Sequence, residues 1–305
     1  MKYKFALTFA AVAAILWAIS AQAQDLPSLR PRLLAHAATS PSPNVGSRSD
    51  SDAVPASTTT CSYTFTHPGV NNSYMQFCVT ANGNIVSFIS PAGIDYINQG
   101  STVGEGYGIC DTSTVRSYYD YAYADSGNWG APVLLALSTG SVKISRGTSD
   151  GLFTLVQTIT RMSGAAPGAE VTMALKGNGI PKNGSKGVRL VRYAKVNPGN
   201  CPQCDTDFYE SFDSTVNAAW GYTAYNYTGP EPAGYGLMLE QIGQPHAPLY
   251  DYRAIDQNSA AGPDPCNAAA NYGGYQASVD GSVVFLWELA LSSGIDTVSA
   301  KYQQF

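Results

Sequence analysis

Cys201 and Cys204 stand close together in NPGNCPQCDTDFYESFDS (197–214), and Asp205, Asp207, Glu210 and Asp213 follow at once. This set could form a redox pair, a metal site or a local clamp. A redox cysteine works when it caps a helix that directly follows a strand, because the helix N-terminus lowers the thiol pKa. Here the preceding strand ends near Val196 and the turn NPGN intervenes. Asp207 and Glu210 fit a capping box, and Phe208, Phe212, Val216 and Trp220 recur every fourth residue. That pattern predicts a short helix from about residue 208, beyond both cysteines. A disulfide-stiffened loop is the leading reading. Zinc would want a second cysteine pair or nearby histidines. Hard oxygen ligands suit calcium, so the four acids form a candidate calcium site. They lack the glycine and distal glutamate of a calcium loop. No other cofactor has a signature.

Carboxylates elsewhere could serve glycoside cleavage, which needs two acids facing each other across a sugar. Glu105 and Asp111 bracket a Gly/Tyr/Cys110 segment, and SYYDYAYADSGNWG (117–130) sets Asp120 and Asp125 among aromatics. Tyr119, Tyr121, Tyr123 and Trp129 are candidate ligand-binding residues, because rings cover the apolar face of a sugar. The leading account is that Tyr119, Tyr121 and Tyr123 line one face of an ordinary strand. Glu288 in FLWELAL lies between apolar neighbours on its own face, Leu286 and Ala290. A buried acid must be paired or protonated. Glu288 is therefore either a site acid or the partner of Arg189 or Arg192. Glu105, Asp120 and Glu288 are the candidate catalytic acids.

Other chemistries lack their motifs. The three histidines, His36, His67 and His246, form no HxxxH or HExxH pair. There is no Gly-x-Ser-x-Gly elbow and no dinucleotide or Walker motif; the glycines of GEGYGIC (104–110) have the wrong spacing.

The elements that must position these residues read as strands. In YMQFCVTANGNIVSFISPAG (74–93), Met75, Phe77 and Val79 alternate up to an Asn82-Gly83 turn, and Ile85 continues beyond it. Residues 131–162 read as three strands with turns at Thr139-Gly140 and Asp150-Gly151. Further strands are expected in 169–179, 186–196, 234–243, 281–294 and 296–305. Long amphipathic helices do not interleave them. The fold class is therefore all-β, a large antiparallel β-sandwich with one or two short helices. Residues 60–305 are expected to form a single domain, with 244–280 as a long irregular stretch that Cys266 could pin.

NGNIVSFISPAGIDYI (82–97) resembles the opening of galactose-mutarotase-like supersandwich domains, in which a Gly-x-Ile-x-Ser strand leads into Pro-x-Gly. The matching residues are Gly83, Ile85, Ser87, Pro91 and Gly93. The resemblance implies a sugar-handling sandwich fold. The family's Asn-His-x-x-Tyr-Phe-Asn-like catalytic segment has no counterpart here, which counts against epimerase activity.

Residues 1–23 read as an export signal: Lys2 and Lys4, an apolar run from Phe5 to Ile19, then Ala21-Gln22-Ala23 before the cut. The run is shorter than the ~20 residues of a membrane span. Residues 24–59, rich in Ser, Pro and Thr without hydrophobic period, read as a disordered tether. Loss of the two lysines from the 17 basic residues leaves 15 against 22 acidic ones, a net charge of −7. Such a chain offers no footprint for nucleic acid. Six cysteines, Cys61, Cys78, Cys110, Cys201, Cys204 and Cys266, remain in the exported part and read as disulfides. Sequence does not choose their pairing. A secreted or periplasmic chain with no membrane span after cleavage is expected, with carbohydrate or a cell-surface component as partner. The function classes left open are a non-catalytic binding or accessory domain, a polysaccharide-active enzyme using paired carboxylates, and a structural surface protein.

Overall fold

A computed structural model describes residues 59–70, 73–97, 104–164, 167–199, 208–213, 218–223, 235–243, 249–252, 264–268, 276–277 and 282–304. These form two nine-stranded sheets in which every pairing is antiparallel. The first sheet contains β1 (Tyr63–His67), β2 (Met75–Val79), β3 (Ile85–Ile89), β4 (Asp95–Ile97), β5 (Glu105–Asp111), β6 (Arg116–Asp120), β11 (Lys186–Gly199), β15 (Leu249–Tyr252) and β17 (Ser282–Leu291). The second contains β7 (Val133–Leu137), β8 (Ser141–Gly147), β9 (Phe153–Met162), β10 (Gly168–Gly177), β12 (Phe208–Asp213), β13 (Ala218–Thr223), β14 (Tyr235–Ile242), β16 (Gln276–Ala277) and β18 (Ile295–Gln304). It runs in the order β16-β12-β13-β14-β18-β10-β9-β8-β7.

Period-2 alternation builds the core between the sheets. Val171, Met173 and Leu175 of β10 face Val188 and Leu190 of β11 and Phe285, Trp287, Leu289 and Leu291 of β17 within one buried cluster. Each such side chain contributes roughly 1.5–3 kcal/mol by leaving water. The long β11 organises the first sheet. Its first part pairs with β17 on one side and β5 on the other, and its end turns to β4. The expected antiparallel sandwich and its hairpins are thus present.

The expected short helix is not. Among the described residues there is no α-helix, and Phe208–Asp213 form strand β12, paired with β13 from Phe208↔Thr223 to Asp213↔Ala218. A spacing of four is a multiple of two as well as one helical turn, so the recurrence of Phe208 and Phe212 fits either element. Phe and Tyr favour strands, and a partner strand that completes the ladder overrides the capping signal.

Candidate functional site

β6, β5, β11 and β17 stand side by side, and their outer face carries the residues with the most varied chemistry. Pairing sets Ser117, Cys110, Arg189 and Glu288 in one row across these strands. The next row is Tyr119, Gly108, Val191 and Leu286, with Tyr250 of β15 opposite Leu286. Beyond it, Tyr121, Tyr193 and Val284 pack together with Val191, Leu286 and Ala268. Tyr119 is half-buried and stacks on Tyr121, with centroids 5.3 Å apart and planes 12° from parallel. Tyr121 and Tyr193 are buried, and the Tyr193 hydroxyl shares a 2.8 Å hydrogen bond with Ser282.

A strap at residues 264–268 crosses this face. The Cys110–Cys266 disulfide pins it, as the expected role of Cys266 requires. Arg189 donates from Nη1 to the Cys266 carbonyl at 2.8 Å and from Nε to Glu288 Oε1 at 3.1 Å. Ser117 Oγ donates to Asp264 Oδ1, which also accepts from the Cys266 N–H at 2.9 Å. Position 108 must be glycine: a Cβ there would lie 2.4 Å from Pro265 Cγ and 3.0 Å from Tyr121 Oη. Glu288 and Arg189 keep 34% and 26% of their side-chain surface, so the expected ion pair is open to solvent on one side.

The other two candidate acids point inward. Glu105 is fully buried between the sheets, ion-paired with Arg192. It accepts from Tyr302 Oη and from the Ile85 N–H, both at 2.5 Å. Burial pushes its carboxyl up from the ordinary range, against the pull of Arg192. Asp120 is also fully buried. Its Oδ2 accepts from Arg146 Nη1 at 2.6 Å and Asn82 Nδ2 at 2.8 Å, and its Oδ1 from the Ala122 N–H at 2.9 Å. Burial raises it to about 6; Arg146 opposes the rise and the charge of Asp125 adds to it.

Both buried ion pairs meet at the β2–β3 turn. Tyr107 Oη and Gln157 Nε2 donate to the Asn82 carbonyl at 2.9 and 3.2 Å, and Arg192 Nη1 donates to Gln157 Oε1 at 2.6 Å. Asn84 Nδ2 donates to the carbonyls of Glu105 and Asp120 at 3.1 and 2.9 Å. Gly83 has φ +91°, a conformation that favours glycine, and closes the turn inside the protein. Unpaired buried polar groups are costly, and here both buried carboxylates, both guanidiniums and the Asn82 carbonyl find partners within one network.

The four aromatic candidates divide. Tyr119 and Tyr121 share the outer face. The chain bends at Ala122, whose φ is +63°, and sends Tyr123 to a separate cluster with Cys78 and Val86. Trp129 is buried in the core, edge-on to Tyr107 at 5.1 Å and under the Arg146 guanidinium. Cys61 pairs with Cys78. Cys201, Cys204, Asp205 and Asp207 lie outside the described residues, and Glu210 and Asp213 fall on β12, of whose side chains nothing is described. Sequence reasoning passed over Asp264 and Ser117. Their only sequence signal is proximity to Cys266 and Cys110.

No protein-family model matches the chain, and no curated protein matches it. Solved structures that are similar at the level of fold include two bacterial proteins. One is a protein from Escherichia coli K12 assigned as an aldose 1-epimerase, with TM-score 0.42 and 12% identity, covering 80% of this chain and 99% of that one. The other is a bacterial glucoamylase complexed with acarbose, with TM-score 0.49 and 8% identity, covering 86% of this chain. This chain spans about a third of the glucoamylase's length, the match covering 35% of it. The first is a distant, low-identity likeness to the fold that residues 82–97 resemble. Among the described residues, no helix is long and apolar enough to cross a membrane, and no group of acids, histidines and cysteines could hold a metal ion.

Proposed function

We propose that this chain is an exported, non-catalytic carbohydrate-binding or accessory protein, and that the sugar lies over Tyr119 on the outer face of the first sheet. The carrying observation is the half-buried Tyr119 ring, backed by Tyr121 and bordered by the polar row of Ser117, Arg189 and Glu288. A ring supported in this way covers the apolar face of a sugar, while a guanidinium and a carboxylate meet its hydroxyls. Export is supported by the lysine-led apolar run of residues 1–23 and by two disulfides, which persist in oxidising compartments.

A second reading, polysaccharide cleavage, draws on the same face. Glu288 and Asp264 both stand there, each tied to Arg189, Glu288 directly and Asp264 through the Cys266 backbone. Paired acids are what glycoside cleavage needs. A glycan array followed by reducing-end release on every hit separates the readings. Binding without release is expected, weakened about tenfold, ~1.4 kcal/mol, by Tyr119→Ala. Release that Glu288→Gln abolishes would replace binding with catalysis. No bound glycan at all would reject both and leave a structural surface protein.

A further inference from the structure

Strand β7 closes one edge of the second sheet, and all five of its residues, Val133-Leu134-Leu135-Ala136-Leu137, are exposed. Val133 keeps 55% of its surface, Leu134 41%, and Leu135 and Leu137 50% each. Edges of this kind carry unpaired N–H and C=O groups, and proteins blunt them with charges, proline or bulges, or cover them. Here no charged residue occurs from Gly130 to Val142. A bulge between Leu134 and Ala136 interrupts the register with β8 and leaves Leu135 without an opposite residue on that strand. Leu134 to Leu137 line a shallow groove of about 370 Å³.

The strand is complementary to itself. Read antiparallel about Leu135, Val133 meets Leu137 of the other copy, Leu134 meets Ala136, and Leu135 meets Leu135. Every facing pair is apolar, and no charge is left without a partner. A two-fold contact requires this of a surface patch. We propose that β7 is a self-association edge: two copies of this chain pair their β7 strands antiparallel about a dyad at Leu135, continuing one sheet into the other. The strand is short beside the ~1,200 Å² of a stable interface, so the pair forms reversibly and separates on dilution.

Sedimentation velocity of the exported chain, from low micromolar to near-millimolar concentration, tests this. The expected result is a monomer that becomes a dimer as concentration rises. Leu135→Lys sets two like charges at the dyad, and like charges directly opposite repel. It weakens association at least about tenfold, as does Val133→Lys. Adding Leu137→Glu to Val133→Lys restores the pair, because the two new charges face each other across the dyad. These side chains are half-exposed, so the variants keep the wild-type melting temperature. A wild type that stays monomeric throughout, or an association indifferent to both lysine variants, overturns the proposal. Association that appears only after residues 24–58 are removed would assign the edge to that segment and overturn it equally.

Discussion

Asp120 shows how one residue's surroundings decide what it can do. Its carboxyl is sealed between the sheets and meets Arg146, Asn82 and the Ala122 N–H, so no face of it is left for a ligand. The same burial makes it a titrating group with a readable signature. Its folded pKa of about 6 lies above the ordinary 3.8, so the folded protein holds this proton more tightly than the unfolded chain does. The stability it contributes is fully present below about pH 4 and is lost as pH rises through about 6. That contribution is on the order of 3 kcal/mol. Carboxyl carbon NMR should find a titration near pH 6 shared by the coupled Asp120 and Asp125 carboxyls, and Asp120→Asn should remove it. The fall in urea-measured stability between pH 4 and 7 should be correspondingly flatter in the variant. An aspartate set that titrates wholly below pH 5 would contradict this. At this scale the sequence told only part. Arg189 and Arg192 were both legible as partners for Glu288, and alternation along β11 separates them. Arg189 lies on the outer face with Glu288, while Arg192 points inward to Glu105. Glu105 reads as a candidate catalytic acid from sequence because its partners, Arg192 and Tyr302, are distant in the chain and approach only when the sheets stack.

Strands and turns were legible where a local rule governs them. The Asn82-Gly83 turn and the turns at Thr139-Gly140 and Asp150-Gly151 all join paired strands. Faces were legible too: Val188 and Leu190 enter the main core, while Val191 and Tyr193 join the outer cluster. The element at 208–213 was misread because its spacing suits both periods, and because the recurrence extends to Trp220, which stands on the partner strand β13. Burial of the 82–84 turn was also hidden, since nothing local marks a hairpin tip that enters the core. Disulfide pairing had to wait for topology, and it now separates the contributions of two elements. Cys61–Cys78 ties β2 to the residues before β1 across a separation of 17, whereas Cys110–Cys266 ties the strap to β5 across 156. Closing the shorter loop stabilises by about 3 kcal/mol and the longer by about 5 on the chain-entropy account. In urea, Cys110→Ser with Cys266→Ser should therefore lose about 2 kcal/mol more than Cys61→Ser with Cys78→Ser. Equal losses would mean that unfolded-state structure or strap packing outweighs loop entropy.

Across the whole molecule, the sandwich accounts for its own cohesion from β1 onward. The first strand begins at Tyr63, the last ends at Gln304, and one buried cluster draws on both sheets from Phe65 to Tyr302. Residues 24–58 bring no hydrophobic period that would add to it. A chain beginning at residue 59 should therefore unfold within about 2 °C of one beginning at residue 24, a difference of less than about 1 kcal/mol for a domain of this size. Differential scanning calorimetry of the two chains measures it directly. A larger drop would mean that the segment packs on the sandwich, and the exposed apolar edge at β7 is where such packing would gain most. Calorimetry and sedimentation then constrain each other. If self-pairing holds, truncation leaves both the midpoint and the dimer unchanged. A segment that covers β7 instead would lower the midpoint on removal and release the dimer.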